Sequence, residues 1–93
     1  MEFEWDENKR LANIEKHGID FKDAVNVLEQ NGPLYETVRN KEVRWVTIGV
    51  LDGAPIAVVW TLRGEGCRLI SARRARKYER EDYTRHVGGH PVG

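Results

Sequence analysis

Eight cationic side chains, Arg63, Arg68, Arg73, Arg74, Arg76, Lys77, Arg80 and Arg85, fall in the single stretch from Arg63 to Arg85. Seven of them are arginines, whose planar and permanently charged guanidinium offers paired donors that match phosphate oxygens. The run therefore suggests a phosphate-bearing partner. The same side chains also fit a surface lattice in which they pair with Glu65, Glu79, Glu81 and Asp82, and composition does not separate the two readings. A formal net charge of zero conceals an uneven distribution. Residues 1–42 hold ten acidic and six basic side chains (net −4), whereas residues 43–93 hold five acidic and nine basic (net +4). The second half is the candidate binding half.

Outside that run, Arg44 lies in a strand-like segment where Arg44, Val46, Ile48 and Val50 share one face, and it is either a strand-end surface charge or an inward-reaching cation. His17 follows Lys16 at the end of a helical segment. There the helix dipole favours an imidazolium, so this histidine either caps the helix or acts as an acid or base near neutral pH. Cys67 is the only cysteine, which excludes an internal disulfide and a cysteine-based zinc site, and its apolar neighbours suggest a buried strand thiol. His86 and His90 stand four apart, but Gly88 and Gly89 intervene and no carboxylate or thiol completes a metal set. No phosphate-binding loop, dinucleotide fingerprint, HExxH or Ser-His-Asp pattern occurs, so no cofactor is expected.

The elements that must carry these residues can be read from periodicity. Phe3 to Trp5 predicts a short strand, with Asp6 as the cap of a helix on which Leu11 and Ile14 recur at helical spacing. Gly18 closes that helix. Asp20 caps a second helix with the stripe Phe21, Ala24, Val25 and Leu28, and Asn31, Gly32 and Pro33 stop it. Strand-like segments follow at Leu34 to Arg39, Val43 to Leu51, Pro55 to Leu62 and Cys67 to Ala72. The joints between them are short enough to make neighbours antiparallel. From Arg73 to about Val87 a charged helix is expected, so that Tyr83 stands one turn after Glu79. The chain reads as one α+β domain over residues 1–87, with a flexible tail over 88–93. No apolar run could span a bilayer and the first residues lack a signal-peptide pattern, which together read as a cytoplasmic protein.

Three segments resemble a known family: FEWDENKRLANIEKHGIDFKDA at 3–24, VRWVTIGV at 43–50, and TLRGEGCRLISARRARKYEREDY at 61–83. In this order they are similar to the BrnT toxins of bacterial type II toxin-antitoxin systems. The resemblance implies a RelE-like fold, with two N-terminal helices packed on a four- to five-stranded antiparallel sheet and a C-terminal helix beside it. It implies an endoribonuclease that arrests translation. It further implies a BrnA-type antitoxin, a ribbon-helix-helix DNA-binding protein, in a complex of two toxins and two antitoxins that reaches operator DNA only through the antitoxin.

Carried over by position, the resemblance assigns Arg44, Arg63 and Arg73 to clamping the scissile phosphate, and His17 to acid-base work. Glu79 would orient an arginine. Tyr83 would either touch the RNA or pack its helix on the sheet. Arg68, Arg74, Arg76, Lys77 and Arg80 would hold the rest of the RNA. This chemistry needs no metal, because a ribose 2′-hydroxyl can attack its own phosphate once a base, an acid and cations are in place. The competing readings are a non-catalytic RNA- or protein-binding module on the same basic surface, and a subunit whose arginines face only the antitoxin.

Overall fold

The computed structural model describes residues 2–88. Its elements are β1 (Glu2–Glu4), α1 (Glu7–His17), α2 (Phe21–Leu28), β2 (Leu34–Arg39), β3 (Glu42–Leu51), β4 (Ala54–Arg63), β5 (Gly66–Arg74) and α3 (Lys77–Gly88). They form one five-stranded sheet in the order β1-β5-β4-β3-β2. The α+β architecture inferred from the sequence is therefore the one observed. The segment at 89–93, most of the expected flexible tail and with it His90, lies outside the described residues, and Gly88 closes α3. Among the described residues no helix is long and apolar enough to cross a membrane.

Tight turns set the direction of β2 to β5. Asn40 and Lys41 (φ 52° and 64°) and Asp52 and Gly53 (φ 51° and 78°) are left-handed pairs, the backbone that two-residue hairpins use because its twist matches that of the flanking strands. β1 differs from the expected all-antiparallel arrangement. It pairs with β5 in parallel, Phe3 opposite Cys67. Two helices connect it to the meander, a link long enough to let a strand enter in either sense.

β5 also runs two residues further than expected. Arg73 and Arg74 pair with Ala57 and Ile56 of the long strand β4, so they belong to the sheet and the helix starts only at Lys77. The partner strand decided this, where local charge density had suggested a helix. Within β5 the register shifts: Val59 faces Ser71 and Trp60 faces Leu69, leaving Ile70 unpaired. This bulge changes the alternation. Leu69 and Ala72 both reach the core beneath α1 and α2, while Ser71 and Arg73 turn to the opposite face.

The sheet is covered on both sides. On one face α2 buries Phe21, Ala24 and Val27 against Ile56, Val58, Cys67 and Leu69, with Val25 and Leu28 half-buried at the margin. Burial raises the pKa of the Cys67 thiol to about 11. On the other face α3 closes a smaller cluster of Ile48, Ala57 and Ala75, against which Tyr35, Val46 and Tyr83 pack.

α1 begins as expected, with the Asp6 carboxylate accepting the N–H groups of Asn8 and Lys9 (2.8 and 3.2 Å). Its core contact is different. Leu11 is 53% exposed and Ile14 36%, and the buried residue is Asn13. β1 covers only the first three residues of β5, which leaves the edge at Ala72 without a strand partner. The Asn13 amide fills that place. Its Oδ1 accepts the Ala72 N–H (3.1 Å), and its Nδ2 donates to the carbonyls of Ala72 and Ile19 (2.9 Å each). Asn13→Ala would strand these buried groups and is expected to lower unfolding free energy by about 3 kcal/mol, read as an earlier urea midpoint at constant slope. A midpoint equal to that of the wild type would refute the clamp.

Candidate functional site

Between α3 and the open part of its sheet face lies a groove of about 960 Å³. β2 and β3 supply Tyr35, Arg39, Arg44 and Val46, β5 supplies Ser71 and Arg73, Arg76 precedes α3, and the first turn of α3 supplies Tyr78 and Glu79. The last turn of α1 brings Lys16 and His17 to the rim. Asn13 anchors that turn: one helical turn before His17 it is locked to β5 beside Ser71 and Arg73. Gly18, at φ 71°, then ends the helix with its N–H on the Ile14 carbonyl (2.8 Å), so His17 stands at the helix terminus.

The centre of the groove is an ion pair. The Arg73 guanidinium donates through both terminal nitrogens to the two Glu79 oxygens, at 2.7 and 3.0 Å. Glu79 is 1% exposed. As the third residue of α3 it also accepts the Arg76 N–H (2.7 Å), the reach-back bond of a capping box. Burial pushes its pKa up, but the Arg73 hydrogen bonds, the Arg76 N–H and the nearby charges outweigh burial and hold the carboxyl below its ordinary range. In turn the hydrogen bonds to Glu79 raise the Arg73 pKa further. Its Nη1 donates in addition to the Arg74 carbonyl (3.3 Å), so the pair leaves a guanidinium that is fixed in orientation at the groove.

This coupling has a sign. A carboxyl whose pKa is lower in the folded chain adds stability above its unfolded pKa and loses it as pH falls through the folded value. Stability is therefore expected to drop as pH is lowered from about 5 toward 3. Denaturant titrations across that range should show a shallower slope for Glu79→Gln. Equal slopes for the two proteins would rule out Glu79 as a contributor.

The structure gathers some of the sequence candidates and disperses others. His17, Arg44, Arg73, Arg76 and Glu79 line the one groove. Arg44 lines the groove from β3, and its Nε donates to the Glu42 carboxylate on the same strand (2.9 Å). Arg63 does not join them. It pairs with Gly66 at the far hairpin while Arg73 pairs with Ala57, a separation of six residues, or about 20 Å of strand. Arg63 therefore lies near the Arg68 end of β5 and away from its Arg73 end. Arg68 is bonded to Glu4 (3.1 Å). Arg74 faces the other side, in a small cleft with His17 and Asp52. Lys77 and Arg80 are exposed on α3 outside the groove, with Arg80 bonded to the Ala75 carbonyl (2.7 Å). Tyr83 packs the helix on the sheet. Of the His86 and His90 pair, His86 places a ring nitrogen 2.7 Å from the Asn31 carbonyl oxygen. Among the described residues no three of His, Cys, Asp and Glu cluster.

Periodicity had not singled out Asn13, Lys16, Tyr35, Arg39 or Tyr78. The signal for two of them was present, since alternation in Leu34–Arg39 places Tyr35 and Arg39 on the face that bears Arg44, opposite Val46 and Glu42. For Asn13 there was none.

Residues 5–79 match the protein family described as "Ribonuclease toxin, BrnT, of type II toxin-antitoxin system". A curated relative is the D-specific alpha-keto acid dehydrogenase of Enterococcus faecalis, 38% identical over 65 residues, which cover 68% of this chain and 20% of that protein. The chain thus spans about a fifth of the length of this relative.

Proposed function

The chain belongs to the BrnT family of type II toxin-antitoxin ribonuclease toxins, and from this premise we propose that it is an endoribonuclease that cuts RNA by internal attack of a ribose 2′-hydroxyl. The observation that carries the reading is the Arg73–Glu79 pair set in one groove with His17, Arg44, Arg76 and Lys16. In the reaction the 2′-oxygen bonds to the adjacent phosphorus and the bond to the 5′-oxygen breaks. A base takes the 2′ proton and an acid returns one to the leaving oxygen. His17 is the group suited to proton transfer. Arg73, oriented by Glu79, offers donors to the phosphate oxygens as charge builds on them. Arg44, Arg76 and Lys16 supply the positive surroundings of the neighbouring phosphates. No protein group forms a covalent bond to RNA in this scheme, and no metal is assigned a step.

In the same reading the toxin acts in the cytoplasm, arrests translation, and is neutralised by a BrnA-type ribbon-helix-helix antitoxin in a complex of two toxins and two antitoxins. Leu34, Val38, Val43 and Leu62 stand exposed on the sheet, an apolar surface suited to a protein partner.

The purified chain, incubated with RNA and EDTA, is expected to yield fragments with 2′,3′-cyclic phosphate and 5′-hydroxyl ends. Salt-sensitive RNA binding without cut ends would instead establish the non-catalytic module. Cleavage abolished by the chelator would overturn the metal-free scheme.

A further inference from the structure

The groove contains two aromatic rings for which the cleavage scheme has no use. Tyr78 is 52% exposed at the second position of α3, where a solvated helix face would carry a polar residue at no cost. Its ring stands edge-on to that of Tyr35, with centroids 6.0 Å apart and planes at 67°. Tyr35 is itself fixed, because its hydroxyl donates to the Asp82 carboxylate one turn further along α3. The exposed ring therefore rests on a held one. Both line the groove with Arg39, Arg44, Arg73 and Arg76, so an aromatic surface is interleaved with cations.

Resting on the ribonuclease reading and extending it, we propose that Tyr78, buttressed by Tyr35, is a stacking platform for a nucleobase of single-stranded RNA. Position supports this. The Tyr78 hydroxyl lies 3.5 Å from Glu79 Oε2, the oxygen that accepts from Arg73 at 3.0 Å. A base stacked on Tyr78 would thus leave its own backbone beside the Arg73 guanidinium, and the ring would select which phosphate reaches it. Every base has a π-face, so the platform is tolerant of sequence. It discriminates by strandedness instead, because a paired base within a duplex cannot be splayed onto a side chain. Base stacking on one tyrosine is also compatible with a groove open at the surface, where hydrogen-bond readout would be lost to water.

The test is binding of a short fluorescein-labelled RNA, 2′-O-methylated throughout so that it is held but not cut. Tyr78→Ala is expected to weaken single-strand affinity by about 5- to 100-fold, while Tyr78→Phe, which keeps the ring, binds as the wild type does. Affinity for a duplex of the same sequence should be equal in all three, as should their thermal midpoints. Single-strand affinity of Tyr78→Ala equal to that of the wild type, with RNA cleavage intact, would overturn the platform alone. A loss in Tyr78→Phe as large as in Tyr78→Ala would also overturn it, by assigning the effect to the hydroxyl. A wild-type chain that neither binds nor cuts RNA would remove the ribonuclease reading and the platform with it.

Discussion

Replacement of His17 by alanine is expected to slow RNA cleavage by about 10²- to 10⁴-fold, the usual contribution of a positioned acid or base. The substitution is a clean one. His17 is half-buried at the last position of α1, and the helix stop it precedes is made by the backbone of Gly18 and Ile14. The clamp that fixes this end of the helix is made by Asn13. His17→Ala should therefore unfold within a degree or two of the wild type. Single-turnover cleavage of a labelled RNA reads the rate, and growth on induction reads the same loss in cells. A variant that cuts at the wild-type rate would take His17 out of the reaction and move the search for the proton carrier to other groups on the rim. Binding of RNA should survive the change, because the cations of the groove are untouched.

Glu79→Ala is expected to be the most destabilising single change in the site, by about 3–5 kcal/mol, the range for breaking a buried ion pair by removing one partner. Three losses combine. Arg73, with its side chain 19% exposed, would keep its charge without its counter-ion, the Arg76 N–H would lose its acceptor, and a cavity would open beneath the first turn of α3. Chemical denaturation measures the total. A cost below about 1 kcal/mol, as for a surface pair, would show that water replaces the carboxylate and that the pair is not structural. The cycle that adds Arg73→Met should recover part of the loss, since the double replacement leaves no unpaired charge, and the non-additivity measures the coupling. Function separates from stability in Arg73→Lys. The lysine keeps a charge at the site but cannot engage both Glu79 oxygens, so activity should fall further than stability does.

Several features were legible in the sequence because each is decided within a few residues. The caps Asp6 and Asp20, the left-handed Gly18, the turns at Asn40 and Asp52, and the strands over Leu34–Arg39 and Glu42–Leu51 all depend on near neighbours. The apolar stripe of α2 was mostly visible too, short of Val27, whose burial depends on how the helix rolls against β3 and β4. The stripe on α1 misled, because Leu11 and Ile14 have helical spacing but face solvent, while the core contact went to an asparagine. Amphipathic spacing identifies a helix. It does not say which face an unpaired strand edge will claim.

What the sequence determined by itself was an inventory: the arginine-rich run, the acidic and basic halves, the local elements, and the likeness to one toxin family. Tertiary structure alone decided which of those arginines meet. Arg63 and Arg73 are ten residues apart and belong to one charge cluster on paper, yet β4 and β5 are long, and register carries the two to opposite ends of that strand pair. His17 and Arg73 are separated by most of the chain, yet a single buried amide on the edge of β5 brings them to one groove. Charge and propensity are properties of residues and can be counted. Proximity is a property of strand register, of a bulge at Ile70 and of one edge left open by a short β1, and these are settled only when the whole sheet is paired.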